Sequence, residues 1–476
     1  MPDGHLLGAW EERVPAALRA VAATLTAAGH SAYLVGGSLR DLLSGREPAD
    51  WDLATSAHPA EVRRLFARVI PTGEKHGTMT VLAGGAAYEV TTLRADGVYS
   101  DMRRPDSVEF TDSIARDLSR RDFTVNALAL DLATGELIDP TGGVRDLAAH
   151  IVRAVGDPAQ RFAEDALRLL RAARFAAQLG YSIEPATRAA MGARASLITR
   201  VAAERIAKEL RLLLAGERPS RGLQVLAGSG LLTHLVPELM GGVGVTQNRF
   251  HRYDVFTHTV FTVDRAPARP AVRLAALLHD VAKPATRELR GGEATFYDHD
   301  KVGAEMADDI LRRLRFPNAE RAAAVHLVRH HLFLYTAEWS NAAVRRFIRR
   351  VGEEAIPDLF ALRVADSAAS GRLAGEPAGL AELAARVAAM LATREEELPP
   401  RLALDGADVM AALGLDPGPD VGKWLAVLAE AVLDDPRFNT REQLLALLLE
   451  AARGAGDASP RSPDRSDPVD RGDPSC

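Results

Sequence analysis

The sequence predicts an α+β chain in which a sheet-bearing domain comes first and helical domains follow. Two observations carry this. Between residues 33 and 93, short apolar and β-branched runs (Tyr33-Leu34-Val35, MTVL at 79–82, YEVTTL at 88–93) alternate with glycine turns, as strands of a mixed or antiparallel sheet do. Beyond about residue 150 apolar residues recur at helical spacing, in a chain rich in alanine, leucine and arginine with only 5% aromatic residues, a composition that favours helices. At 476 residues the chain exceeds what a single core supports, and about three domains are expected.

Composition bounds the function. Hydrophobic content of 47% and 26% charged residues are ordinary for a globular protein. The one cysteine, Cys476, excludes internal disulfides and a cysteine-based zinc site. The opening residues, MPDGHLLGAWEERV, lack a basic region followed by an apolar core, and no run of about 18 apolar residues occurs. A cytoplasmic protein without a membrane span is expected. The net charge of −6 does not advertise nucleic-acid binding, so any RNA contact has to come from local basic faces.

Taken in order, residues 11–29 carry Val14, Leu18, Val21 and Leu25 at helical spacing and predict one amphipathic helix against the sheet. Residues 34–56, LVGGSLRDLLSGREPADWDLATS, read as strand, glycine turn, short helix, loop and strand. Gly36-Gly37 frees backbone N–H groups at a helix N-terminus, a cradle for an anion such as a triphosphate. Asp50 and Asp52 flank Trp51. On a strand, residues two apart share a face, which turns both carboxylates toward the glycine turn. A Gly-Gly turn or an Asp-x-Asp pair alone is an ordinary loop feature. Together they suit nucleotidyl transfer, because two carboxylates hold hard divalent cations about 4 Å apart while phosphates supply the other oxygens.

A helix opens at His58-Pro59-Ala60 and runs through Phe66, and Val69-Ile70-Pro71-Thr72-Gly73 leads to the strand at 79–82. The run at 88–93 pairs antiparallel with that strand and carries Glu89 near its start. Residues 94–110 are polar and turn-rich and read as a mobile loop, and 137–147, with Gly142-Gly143, read as a connector. One helix is expected over 158–179, with Phe162, Ala166, Leu169, Ala173 and Ala176 as its core stripe and Arg161, Asp165 and Arg168 beside it. A surface ion pair is the ordinary fate of that second stripe. Residues 241–370 concentrate histidines: His258, His279-Asp280, His299 and His330-His331, followed by Asp366. VRRFIRR at 344–350 offers a basic helix face, suited to nucleic-acid phosphates or to plain solvation. Residues 378–393 predict a plain amphipathic helix, and 404–449 two helices, one opened by Gly406-Ala407-Asp408 and the next starting near Val421.

GGSLRD followed by DWDLAT resembles the active-site signature of the class II tRNA nucleotidyltransferases, the CCA-adding enzymes and bacterial poly(A) polymerases of the DNA polymerase β superfamily. The resemblance spans about residues 15–450 in the family's motif order. It implies a polymerase β-type nucleotidyltransferase palm over 1–150, a helical neck over 151–240, an HD helical domain over 241–395 and a C-terminal helical region over 396–452. Residues 453–476, rich in Pro, Asp, Ser and Arg, are expected to form a disordered tail.

The resemblance also implies roles. Asp50 and Asp52 would hold Mg²⁺, with Glu89 as third carboxylate; Gly36, Gly37, Arg40, Arg120 and Arg121 would bind the nucleotide's phosphates, and Asp122 and Asn126 its ribose. EDALR at 164–168 matches the family's EDxxR template, so Glu164, Asp165 and Arg168 would face the base. Asp165 can accept from the amino group of C or A and Arg168 can donate to their acceptors, a pattern inverted in G and U. The helix at 201–215, with Glu204-Arg205 and Glu209, resembles the next family motif, and the loop at 94–110 resembles an element needed for adding the last adenosine. The order H, HD, H, H, D resembles an HD-domain metal site in which His258, His279, Asp280, His299, one of His330 and His331 (His331 in the first instance) and Asp366 bind a divalent metal.

The activity implied is addition of C, C and A to the tRNA 3′ end from CTP and ATP, without a nucleic-acid template. Its partners are tRNA and those nucleotides, and no protein partner is evident. The alternatives are a poly(A) polymerase, from which TGEKHGTMTV at 72–81 leads away; an enzyme that adds A alone; and an HD phosphohydrolase carrying an RNA-binding relic of the transferase, against which Asp50, Asp52, Asp165 and Arg168 argue.

Overall fold

The structure is a computed structural model that describes residues 10–96, 108–247, 252–290, 293–371, 377, 379–393, 401–434 and 436–456. It divides into two compact units, Met1–Phe333 with Pro357–Pro377 and Leu334–Ile356 with Ala378–Cys476.

The first unit opens on a mixed sheet built from β1 (Ala32–Val35), β2 (Asp52–Thr55), β3 (Val69–Gly73), β4 (Thr78–Ala83) and β5 (Ala86–Thr92). Next in the chain, β6 (Arg94–Asp96) and β7 (Val108–Phe110) form a separate antiparallel ribbon. β8 (Ala129–Asp131) and β9 (Leu137–Ile138) complete the sheet in the order β3-β4-β5-β2-β1-β8-β9. Only β2 and β5 run parallel; the other neighbours are antiparallel. Val35, Ala54, Leu93, Leu118 and Ala129 meet in the core beneath it. The 94–110 segment is thus partly a ribbon, and residues 97–107 of the expected loop lie outside the described residues.

Several local expectations are corrected, each for a physical reason. The helix expected over 11–29 is two, α1 (Trp10–Arg13) and α2 (Ala16–Ala27), because Pro15 between them has no N–H to continue the ladder. α2 still buries Leu18, Val21 and Leu25 as the spacing predicts. α3 (Gly36–Leu43) and α4 (Pro59–Leu65) follow β1 and β2. Val69–Gly73 is a strand; it tolerates Pro71 because β3 lies at the sheet edge.

α5 (Ile114–Ser119) precedes a single 3₁₀ turn, Thr124–Asn126. The expected connector at 137–147 contains β9 and the start of α6 (Gly143–Ala148). A Cβ at Gly143 would sit 2.2 Å from the Thr124 carbonyl oxygen, so only glycine lets α6 approach that turn. The helix expected over 158–179 is broken at Asp165 into α7 (Pro158–Glu164) and α8 (Leu167–Leu179).

The helical remainder carries two short ribbons, β10 (Ile151–Val152) with β11 (Ser182–Ile183) and β12 (Arg287–Arg290) with β13 (Glu293–Phe296). α9 (Pro185–Arg194) and α10 (Ala203–Leu214) follow α8, and α8 packs against α10. In the second unit, Asn341–Val351 buries Val344, Phe347 and Ile348 and exposes Arg346, Arg349 and Arg350. Gly406–Leu413, Pro419–Asp434 and Arg441–Gly456 enclose Val409, Leu428, Leu444 and Leu448. The last helix enters the stretch expected as a tail, and residues 457–476 lie outside the described residues. Among the described residues no helix is long and apolar enough to cross a membrane.

Candidate active site

β1 ends at Val35, and Gly36, with φ of 71°, turns the chain straight into α3. A Cβ there would lie 3.3 Å from Nη1 of Arg121 and 3.5 Å from Oδ2 of Asp52. The glycine thus lets backbone approach a guanidinium and a carboxylate at once. Ser38 Oγ donates to the Val35 carbonyl (2.8 Å) and accepts from the Asp52 N–H (3.4 Å), tying the turn to β2.

Asp52 opens β2 and pairs in register with Glu89 on parallel β5. Asp50 is not on the strand: β1 leaves the sheet at Gly36, its pairing with β2 stops at Leu34 opposite Leu53, and Asp50 stands exposed in the preceding bend. The three carboxylates nonetheless share one cavity of ≈ 740 Å³. Burial first, then the charges of Glu89 and Asp50, push the Asp52 carboxyl up to about 6 against the pull of Arg121. Crowded hard oxygens that repel one another are a donor set that fits a divalent cation.

Eight arginines line the rest of that cavity, among them Arg40, Arg120, Arg121 and Arg168. Arg40 Nη1 donates to Asn126 Oδ1 (2.8 Å), whose Nδ2 donates to Asp122 Oδ1 (3.1 Å). Arg171 Nε closes the network on Asp122 Oδ2 (2.7 Å). Burial would raise the Asp122 carboxyl, but Arg171 and Asn126 overcome it and hold it at about 2. Both predicted ribose-binding side chains are therefore already bonded and fixed in place. Arg120 and Arg121 both donate to buried Asp117.

Asp165 adopts an extended backbone (φ −141°, ψ 104°), and its Oδ1 accepts the Leu167 N–H (3.0 Å), capping α8. Its Oδ2 accepts from Arg205 on α10 (2.8 Å). The expected stripe on one helix does not exist, and Asp165 and Arg168 form no ion pair with each other. Arg168 donates instead to Glu164 Oε2 (2.7 Å), the Arg161 carbonyl (2.9 Å) and the Arg120 carbonyl (3.0 Å). Both nevertheless line the cavity, whereas Glu164 stands outside its lining and braces Arg168.

Sequence reasoning passed over Arg171, Arg174 and Phe175, all in the lining, and placed Arg205, also in the lining, in a family motif without a role. Arg168, Arg171 and Arg174 recur every third residue on a helix with many buried positions, a periodicity that signals inward-facing cations. Glu209, 5% exposed, receives Arg174 Nε at 2.6 Å, and the Arg174 guanidinium lies 4.2 Å from the Phe175 ring centroid.

The second predicted cluster also converges. His258 lies on helix Val255–Arg265, His279 and His331 cap helices Pro270–Leu278 and Asn318–His330, and His299 opens His299–Arg313. Asp280 Oδ2 lies 3.2 Å from His279 Nε2 and 3.6 Å from His258 Nε2; its Oδ1 lies 3.7 Å from His299 Nε2 and 4.0 Å from His331 Nε2. Asp366 Oδ1 is 3.0 Å from His258 Nε2. His331 is the buried member of its pair, while the His330 ring packs on His326. The Nδ1–H groups of His279, His299 and His331 donate to the carbonyls of Ala276, Phe296 and Val328 at 2.9, 2.6 and 2.7 Å. That fixes the tautomer with Nε2 turned inward, as metal-binding imidazoles require. Burial opposes charge on His279, yet Asp280 and Asp366 raise it to about 10, while burial and the His279 charge push His331 down to about 3. The donor set fits a divalent metal.

Three families match the chain: the poly A polymerase head domain over 32–153, the "Probable RNA and SrmB-binding site of polymerase A" over 180–241, and the HD domain over 258–371. An A-adding tRNA nucleotidyltransferase of Deinococcus radiodurans is 39% identical over 417 residues, 84% of this chain and 91% of that protein. A CCA-adding enzyme of Geobacillus kaustophilus is 36% identical over 428 residues, 89% and 94% of the two chains. The crystal structure of the Bacillus stearothermophilus CCA-adding enzyme in complex with CTP superposes with a TM-score of 0.66 at 29% identity, over 93% of this chain and 98% of the other. Head-domain nucleotidyltransferases and HD domains generally use divalent metals. With a head-domain match at its N-terminus and relatives above 35% identity over most of its length, the chain belongs to the family of the CCA-adding enzymes and A-adding tRNA nucleotidyltransferases.

Proposed function

We propose that the chain adds C, C and A to the 3′ end of tRNA from CTP and ATP, in the cytoplasm, with protein side chains in place of a nucleic-acid template. One observation carries the reading: a single cavity brings together Asp50, Asp52 and Glu89, the arginines Arg40, Arg120 and Arg121, and the pair Asp165 and Arg168.

Asp50, Asp52 and Glu89 would hold Mg²⁺, whose charge acidifies a bound hydroxyl and stabilises a leaving pyrophosphate. Gly36 and Gly37 admit the phosphates close to backbone, and Arg120 and Arg121 bind them through planar forks. Asp122 and Asn126, held rigid by Arg171 and Arg40, orient the ribose. Asp165 accepts from the amino group that C and A share, and Arg168, braced by Glu164, donates to the base's acceptors. The cluster of His258, His279, Asp280, His299, His331 and Asp366 binds a divalent metal separately from this cavity.

A second reading, addition of A alone to tRNA that already ends in CC, draws on the likeness to the A-adding enzyme of Deinococcus radiodurans. The catalytic assignment is tested by Asp50→Ala and Asp52→Ala, which are expected to abolish nucleotide addition while the fold and tRNA binding persist. Turnover above a small fraction of wild type at saturating Mg²⁺ would overturn it.

A further inference from the structure

We propose that Asp117 is a positioning residue for the nucleotide's triphosphate, fixing both guanidinium forks on which the phosphates lie. The inference rests on the reading of Arg120 and Arg121 as phosphate-binding groups. Asp117 is 1% exposed and stands behind the cavity wall. Its Oδ1 accepts from Arg120 Nε (3.0 Å) and Nη2 (2.7 Å), and its Oδ2 from Arg121 Nε (3.3 Å) and Nη2 (3.1 Å). One carboxylate thus takes two bonds from each of two adjacent guanidiniums, which sets the plane of each.

The same Oδ1 accepts the Arg94 N–H (3.3 Å), and Arg120 Nε also donates to the Arg94 carbonyl (3.0 Å). The first residue of β6 is thereby tied to the two forks. An acid in the first turn of a helix ordinarily stabilises the helix N-terminus. Here that task falls to Ser113, whose Oγ accepts the Arg116 N–H (3.4 Å), and both Asp117 oxygens are spent on arginines. Two neighbouring guanidiniums repel; a buried counter-charge between them removes that cost and orders two long side chains before a ligand arrives. Burial opposes the Asp117 charge, but Arg120 and Arg121 keep the carboxyl below its ordinary range, so it stays ionised.

The test separates phosphate binding from everything else. Binding of CTP, CMP and inorganic pyrophosphate is measured by calorimetry on the full chain, on Asp117→Asn, on Asp117→Glu and on Arg121→Ala. Asp117→Asn is expected to weaken CTP and pyrophosphate by about tenfold or more, the worth of one charge-assisted bond, and to leave CMP unchanged. Asp117→Glu, which restores the charge but shifts the forks by a methylene, falls between Asn and wild type. If Asp117→Asn weakens CMP as much as CTP, the residue is merely structural and the proposal is overturned. If Arg121→Ala lowers the CTP-to-CMP affinity ratio while Asp117→Asn does not, only the proposal falls; if neither changes the ratio, the phosphate reading falls as well. Should Asp117→Asn fail to fold, an unchanged ratio in Asp117→Glu overturns the proposal.

Discussion

Replacing Asp165 separates base selection from helix capping, because its two oxygens do different work. Oδ1 caps α8 through the Leu167 N–H and Oδ2 faces Arg205 in the cavity. Asp165→Asn keeps an oxygen able to cap, so the stability cost is small; Asp165→Ala loses the cap as well, at about 0.5–2 kcal/mol. On the proposed base-reading role, both variants lose the charged acceptor for the base's amino group, worth about 1.5–3 kcal/mol. Discrimination against UTP and GTP should therefore fall on the order of ten- to a hundredfold in either variant. Arg168→Ala should do the same, and the double variant should lose less than the sum, since both groups act on one base. The assay is incorporation of each of the four nucleotides into tRNA lacking its terminal residues, read as kcat/KM, with a denaturation curve for each variant. If Asp165→Asn and Asp165→Ala stay strictly specific for C and A with unchanged KM, Asp165 is only a helix cap and selection lies elsewhere.

Two further outcomes are expected. The Asp122 carboxyl sits at about 2 in the fold against 3.8 as its ordinary value, so its contribution is present above pH 4 and lost as the pH falls through 2. That contribution is roughly 2 kcal/mol; chemical denaturation should show wild type ahead of Asp122→Asn at pH 5, with the gap closing toward pH 2, and a gap independent of pH contradicts the assignment. His279→Ala and Asp280→Ala should each remove bound divalent metal, and with it any phosphatase or 2′,3′-cyclic phosphodiesterase activity, while nucleotide addition persists. Elemental analysis that finds no metal in the wild-type protein speaks against this cluster as a metal centre.

What was legible in the sequence was the part carried by short-range geometry. Gly36-Gly37 before a helix and Asp52 on a strand follow from turn and strand chemistry, and Glu89 proves to be the register partner of Asp52. The histidine order predicted a cluster, though not which of His330 and His331 faces inward, since that depends on where the helix ends. Asp165 was misplaced because EDALR has good helix formers on both sides; the N-cap preference of aspartate was the signal available to find the break. The partners of Arg171, Arg174, Arg205 and Glu209 escaped because a charged residue on an amphipathic helix reads as solvated until the facing element is known. They lie far along the chain, as Arg205 does from Asp165 and Arg171 from Asp122, and long-range pairing leaves no local periodicity.

The central claim, that this cavity builds the whole CCA end, is tested most directly by resolving single additions. Wild-type protein is given tRNA that lacks all three terminal residues, with CTP alone, ATP alone or both, and product lengths are read on a sequencing gel. The account predicts two added residues with CTP alone, none with ATP alone and three with both, and no extension from GTP or UTP. Extension by a single A only on tRNA already ending in CC, or long runs of A, would contradict it.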